Sequence, residues 1–211
     1  MTKHQHISIL LLTHNEEKNL LKYWNWLDKS KTINEIIVID DDSIDKTEDI
    51  IKKFETKKIK IKVFKRKLSN NFSDQRNFGI TKTSNDWILW LDADEKPSKK
   101  LINFLNHIDN LKYKNYAFKR NDVFINHELK HGENANQYFL RFFNKKYGRF
   151  TGAVHEVWQS PEEIESQKIH LYHYPHESLK IFIKKINFYY NLRAQELFDQ
   201  NQKGSLFQII F

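Results

Sequence analysis

Apolar runs that end abruptly in acidic residues organise the first half of the chain. The clearest is Trp87-Ile88-Leu89-Trp90-Leu91, which runs straight into Asp92-Ala93-Asp94-Glu95. An unbroken apolar run of this length reads as a strand buried on both faces, as in a parallel sheet covered by helices. Ile7 to Leu12 and Glu35 to Ile39 read the same way, the second ending in Asp40-Asp41-Asp42-Ser43. Ile59, Ile61 and Val63 alternate with lysines and predict a third, less buried strand. Helical spacing separates these runs. After the Thr13-His14-Asn15 turn, with Asn15 as the expected N-cap, Leu20, Leu21, Trp24 and Leu27 share one face. A helix from about Asp45 carries Ile50, Ile51 and Phe54, a third spans Phe72 to Thr83, and Pro97-Ser98 opens a fourth. Alternation of this kind predicts an α/β fold with a mostly parallel sheet and right-handed crossovers.

The texture changes after Leu111. Aromatic residues become dense between Tyr113 and Phe150, and Asn and Gly mark the turns, which predicts short antiparallel strands around 115–125 and 137–143. A long amphipathic helix is expected from about Ser178 to Phe198, ahead of the apolar ending Leu206-Phe207-Gln208-Ile209-Ile210-Phe211. The expected division is 1–110, 111–177 and 178–211, the first two stretches sharing one core and the last reading as interrupted.

Composition narrows the function classes. With 39% hydrophobic residues in 211, the chain can bury a core and is not of disordered type. It has no cysteine, so disulfides and thiolate metal sites are excluded, which fits a reducing compartment. No apolar run approaches the roughly 18 residues of a membrane span. A cytoplasmic protein is the expectation. The net charge of +8 fits an anionic substrate or an anionic membrane surface, to which the basic helix and apolar ending would attach peripherally. No nucleic-acid motif accompanies the lysines, and no nucleic-acid partner is expected.

Asp92 and Asp94 should lie at the carboxyl end of a central strand, since burial must stop where unpaired charge begins. That rim is where open α/β sheets bind ligands. If the strand continues, residues two apart face one side, and two hard oxygen donors there suit Mg²⁺ or Mn²⁺. Asp40 to Asp42 form a second acidic strand end, of which one residue is expected only to cap the next helix. Other acidic and phosphate motifs fail. A calcium loop counted from Asp40 would need glycine where Asp45 stands, and the phosphate-cradling glycine-rich loop is absent. His170, His173 and His176 are spaced by three, but Pro175 interrupts a helix there, and zinc is not expected.

Taken together the motifs resemble the inverting glycosyltransferases of family 2, with the GT-A fold. The resemblance rests on Ile9-Leu10-Leu11-Leu12-Thr13-His14-Asn15-Glu16, on Val38 to Thr47, on Asp74-Gln75-Arg76-Asn77-Phe78-Gly79-Ile80 and on Leu91-Asp92-Ala93-Asp94-Glu95, in that order. Gly152-Ala153-Val154-His155-Glu156 and His170-Leu171-Tyr172-His173-Tyr174 are similar to the subgroup acting on bacterial lipopolysaccharide core and related surface glycans.

The resemblance implies a nucleotide-sugar-binding half in 1–110 and an acceptor-side half in 111–177. It implies that Thr13, Asn15 and Glu16 line the nucleotide pocket, that Asp41 and Asp42 contact the uracil or ribose, and that Arg76 approaches the sugar or diphosphate. Asp92 would orient the donor sugar or ribose, Asp94 would be the principal ligand of Mg²⁺ or Mn²⁺, and Glu156 would be the general base. Weighed apart from the resemblance, His173 is expected on the metal or diphosphate, with a core or loop histidine as the alternative. His155, Asp109 and Asp122 remain open as alternative bases. The expected partners are a nucleoside-diphosphate sugar, UDP-hexose first, and a glycan or glycolipid acceptor. Two rival readings are a nucleotide-sugar-binding protein without catalysis and a basic nucleic-acid-binding domain.

Overall fold

In a computed structural model, the structure describes residues 5–69, 71–109, 111–125, 127–129, 137–152, 156–175 and 183. Apart from Ile183, the helix expected over 178–198 lies outside the described residues, as do the ending at 206–211, His155 and His176.

The elements in chain order are β1 (Ile7–Thr13), α1 (Glu17–Tyr23), β2 (Ile33–Asp40), α2 (Thr47–Lys52), β3 (Lys60–Lys65), α3 (Phe72–Lys82), β4 (Trp87–Asp92), β5 (Glu95–Pro97) and α4 (Lys99–Leu105). They continue with β6 (Asn115–Phe124), β7 (His127–Glu128), β8 (Tyr138–Asn144), β9 (Arg149–Thr151), β10 (Val157–Gln159) and β11 (Ile164–His173). One sheet runs β3-β2-β1-β4-β8-β6-β11-β5, with β7 paired to β6, and β9 and β10 form a separate ribbon. β3, β2, β1 and β4 are mutually parallel. β8 pairs antiparallel with both β4 and β6, and so carries the sheet across from the α/β half to the aromatic-rich half.

The apolar runs do what their pattern demands. Alternate residues of β1, β2 and β4 enter two separate cores. Ile9, Leu11, Val38, Leu89 and Leu91 pack on one face with residues of α1, α2 and α4, while Leu10, Ile37, Ile39, Ile88 and Trp90 pack on the other with Phe143, Phe150 and Trp158. At roughly 1.5–3 kcal/mol per large buried apolar side chain, burial on both faces holds these strands at the centre of the sheet. Gly79 of α3 lets that helix lie against β1, since a Cβ there would stand 2.3 Å from Leu10 Cδ1.

Several local expectations are corrected. Asn15 does not cap α1. It adopts a left-handed φ of 57°, its backbone N–H donates to Ser43 Oγ at 2.9 Å, and its Oδ1 accepts from Ile44 N at 2.9 Å, which staples the β1–α1 turn to the β2–α2 loop. Leu21 is 63% exposed, because α1 has only seven residues and its buried stripe passes through Leu20 and Tyr23. None of Asp40 to Asp42 caps α2. Lys46 holds the N-cap position without a side-chain cap, and Asp45 just before it accepts from Thr47 N at 2.9 Å. β11 was not expected as a strand. It pairs parallel with β6 and sets His173 opposite Asp122. Consecutive strand residues face opposite sides, so His170 and His173, three apart, point to opposite faces and cannot share a metal.

Candidate active site

The carboxyl ends of β1, β2 and β4 open into a cleft of about 410 Å³, lined by Leu12, Thr13, His14, Glu16, Ile39, Asp41, Leu68, Phe72, Gln75, Arg76, Asp92, Ala93, Asp94 and His173. Its floor is the rim where parallel strands stop and ligands bind. Leu12, Ile39, Leu68 and Phe72 give it an apolar end, while Arg76, Asp92, Asp94 and His173 give it a charged one.

Each side chain at the rim has a definite tether. Thr13 Oγ1 donates to Asp40 Oδ1 at 2.8 Å, and Asp40 also accepts from Ser43 N at 3.0 Å, so Asp40 is buried and its oxygens are committed to the turn. Asp41 holds the opposite wall by accepting from Leu68 N at 2.7 Å. Asp42, in a left-handed conformation, is exposed and outside the cleft lining, as is Asn15. Glu16 faces the acidic turn. Burial pushes its carboxyl up, Asn19 offsets part of that, and Asp94 and Asp92 push it further up.

The strand of β4 ends at Asp92, and Ala93-Asp94 is a turn rather than more strand. Both carboxylates nonetheless reach the same cleft. Asp92 Oδ2 accepts from Arg141 Nη2 at 2.9 Å, and 38% of its side chain stays exposed. Burial pushes the Asp92 carboxyl up, but the guanidinium groups of Arg141 and Arg76 outweigh it and hold the group below the usual range. Trp24 Nε1 donates to the Ala93 carbonyl at 3.0 Å and fixes the turn from the other side. Asp94 Oδ2 stands 3.4 Å from His173 Nε2, whose Nδ1 lies 2.8 Å from Asp122 Oδ1. Burial lowers the His173 pKa, yet the hydrogen bonds to Asp122 and Asp94 prevail and raise it to about 9. The two carboxylates favour the protonated ring, which would have to give up its proton before a ring nitrogen could ligate a cation.

Arg76 projects from α3, whose N-cap Asn71 accepts from Asp74 N. Its guanidinium lies 3.6 Å from the centroid of the Trp90 ring, and its Nε and Nη2 both donate to Glu156 Oε1, the first at 3.0 Å. Arg76 is buried, but its Nη1 has no hydrogen-bond partner among the described residues. A buried guanidinium N–H left unpaired beside a cleft is costly, and an anion entering the cleft would satisfy it. Glu156 itself is 13% exposed and does not line the cleft floor.

Among the described residues, no three His, Asp or Glu side chains are gathered closely enough to cage a cation alone. Asp94, beside open cleft, leaves room for the other kind of site, in which a divalent cation takes few protein ligands and completes its shell with phosphate oxygens and water. Of the alternative bases, Asp122 is committed to His173, and Asp109 lies far along the chain fold, accepting from Gln5 N at 3.1 Å.

Arg141 was not anticipated. Its signal in the sequence is a lone cation in the aromatic strand Tyr138-Phe139-Leu140-Arg141-Phe142-Phe143, where a buried charge requires a buried partner. That partner is Glu95, fully buried and bound through two hydrogen bonds of 2.8 Å.

Comparison with known proteins bears on family and fold. The family model described as "Glycosyl transferase family 2" matches residues 8–162. An uncharacterized glycosyltransferase of Rickettsia typhi is 26% identical over 224 residues, which cover 96% of this chain and 72% of that protein. An uncharacterized glycosyltransferase of Haemophilus influenzae is 33% identical over 119 residues, 53% of this chain and 47% of its own. Among solved structures, S. aureus TarS 1–349 in complex with UDP-GlcNAc superposes with a TM-score of 0.59 at 18% identity, over 82% of this chain. The chain spans about 60% of the length of that structure. The likeness bears on fold, and the GT-A architecture expected from the motifs is the one observed.

Proposed function

Because the chain belongs to glycosyl transferase family 2, and is a glycosyltransferase by that membership, we propose that it moves a sugar from a nucleoside-diphosphate sugar to a hydroxyl of a surface-glycan acceptor with inversion. The observation that carries this reading is the cleft itself, where the unpaired Nη1 of buried Arg76 and the Asp92–Asp94 turn share one charged end and an apolar end lies beside them.

The donor's base fits the apolar end, between Leu12, Ile39, Leu68 and Phe72, with Asp41 in reach of the base or ribose. TarS, a relative in fold, is described in complex with UDP-GlcNAc, and a UDP-hexose is the donor class we assign here. The diphosphate meets Arg76, which supplies the charge-assisted hydrogen bonds an anion needs. Asp94 and His173 would hold Mg²⁺ or Mn²⁺, which when bound offsets charge developing on the departing diphosphate. Asp92 orients the donor sugar. Glu156 takes the proton of the acceptor hydroxyl as it attacks the anomeric carbon, a proton transfer worth typically 10² to 10⁴ in rate. The C1–O bond to the diphosphate breaks as the new glycosidic bond forms on the opposite face, and no protein nucleophile takes part. In the free chain Glu156 is paired with Arg76.

The acceptor assigned is a lipopolysaccharide core or related glycan, and the net charge of +8 favours work near an anionic membrane. No helix of the described residues is long and apolar enough to cross a membrane. A thermal-shift panel of nucleoside-diphosphate sugars tests the donor reading. The right donor raises the melting temperature by mass action, more so with Mn²⁺, whereas a flat response across the whole panel contradicts it.

A further inference from the structure

We propose that Arg141 is a positioning residue for the transfer step, holding the Asp92 carboxylate and the Asp92–Glu95 turn in the arrangement that the donor sugar meets. The inference rests on the donor reading above.

Arg141 is absent from the cleft lining, so it acts through its partners. Its side chain is 4% exposed and lies in the middle of β8. Nε and Nη2 donate to the two oxygens of Glu95 at 2.8 Å each, and Nη2 also donates to Asp92 Oδ2 at 2.9 Å. Glu95 Oε2 in turn accepts from the backbone N–H of Asp92 at 3.1 Å. One guanidinium therefore ties both the side chain of Asp92 and, through Glu95, its backbone. The Trp90 ring, 4.1 Å from the guanidinium carbon, lies against it.

A purely architectural role is the competing account, and the energetics weigh against it. Burying ions to join two strands costs desolvation that packed apolar residues would not, and such pairs are often replaceable by apolar groups without loss. β8 is already joined to β4 by its ladder and by stacking of Trp87 on Phe142. One guanidinium thereby serves two carboxylates, the fully buried Glu95 and Asp92, whose exposed part faces the cleft. A fork of fixed geometry achieves this, and lysine, a point charge, cannot reproduce it.

The test uses nucleotide-sugar hydrolysis, UDP affinity and melting temperature together, on Arg141→Met, Arg141→Lys and Glu95→Gln. Arg141→Met is expected to lower kcat by about a hundredfold, a loss typical of misplaced reacting groups, while UDP affinity stays within about twofold. Lysine restores only part of kcat. Glu95→Gln, which touches no ligand, lowers kcat by about tenfold and keeps the proposal testable if Arg141→Met fails to fold. Asp92→Asn combined with Arg141→Met is expected to be no slower than Asp92→Asn alone, because both remove one unit of function. Additive losses in that double variant, or wild-type kcat in folded protein whose only change is a lower melting temperature, overturn the positioning role. A wild-type protein inert toward every nucleotide sugar instead contradicts the donor reading, before any variant is made, and removes this inference with it.

Discussion

Glu35, near the amino-terminal edge of the sheet, and the Asp92–Asp94 turn, at its carboxyl edge, are both acids set against buried strands. Their surroundings differ. Glu35 accepts from Ser8 Oγ at 2.5 Å, from Ser84 N and Oγ at 2.7 Å each and from Lys62 Nζ at 3.0 Å. Both oxygens are used, and no ligand could add to them. At the other edge Asp92, Asp94 and Glu16 share one cleft, the Asp92 side chain stays partly exposed, and Arg76 keeps an N–H with no partner among the described residues. A saturated acid joins β1, β2 and the turn before β4, whereas an unsaturated set waits for a ligand. Satisfaction of hydrogen-bonding capacity, rather than burial or charge, separates architecture from chemistry here.

Substitutions at the two edges should therefore fail in different ways. The largest effect is expected for Glu156→Gln, which keeps shape but cannot accept a proton: turnover falls by roughly a hundredfold or more, and donor affinity measured by calorimetry is nearly unchanged. Arg76→Met should weaken UDP binding by about tenfold to a hundredfold, the scale of charge-assisted hydrogen bonds, and titration against UDP checks it. Gly79→Ala lies between the edges, in a helix packed hard on Leu10. Its Cβ must displace that side chain, so a loss of about 1–3 kcal/mol in denaturant unfolding is expected. Nucleotide affinity of the protein that remains folded should not change.

At Glu35 the expected effect is on stability alone. Burial pushes its carboxyl up, but the hydrogen bonds from Ser8, Ser84 and Lys62 prevail and hold it below the usual range. A depressed folded-state pKa contributes stability that is present above the unfolded value, roughly 4.3, and is lost as pH falls through the folded one. Glu35→Gln should cost about 1–3 kcal/mol at neutral pH and flatten the acid limb of the stability curve, with turnover unaffected. A loss of turnover at constant stability would break the comparison between the edges.

Much of the amino-terminal half was legible because its signals are local. Apolar runs of both-face burial and the acids that end them located β1, β2 and β4 and the rim they form. The aromatic-rich half was less so. β11, with sequence Ile164-Glu165-Ser166-Gln167-Lys168-Ile169-His170-Leu171, is mostly polar because it is only partly buried, and its pairing with β6 is a long-range choice no local pattern reports. The same pairing creates the Asp122–His173–Asp94 chain. Arg141 carried a signal, a cation among aromatics, but its partner Glu95 lies 46 residues away in sequence. Asn15 was misread because a turn asparagine suits both an N-cap and a left-handed residue, and the loop from β2 decided between them.

The central claim is that the acidic turn serves a metal-bound nucleoside diphosphate, and calorimetric titration of UDP tests it most directly. The account predicts tight binding with Mn²⁺, a loss of roughly tenfold or more with excess chelator, and the same loss in Asp94→Asn with Mn²⁺ present, since an amide cannot supply the missing charge. Equal UDP affinity with and without chelator in the wild-type protein would contradict it.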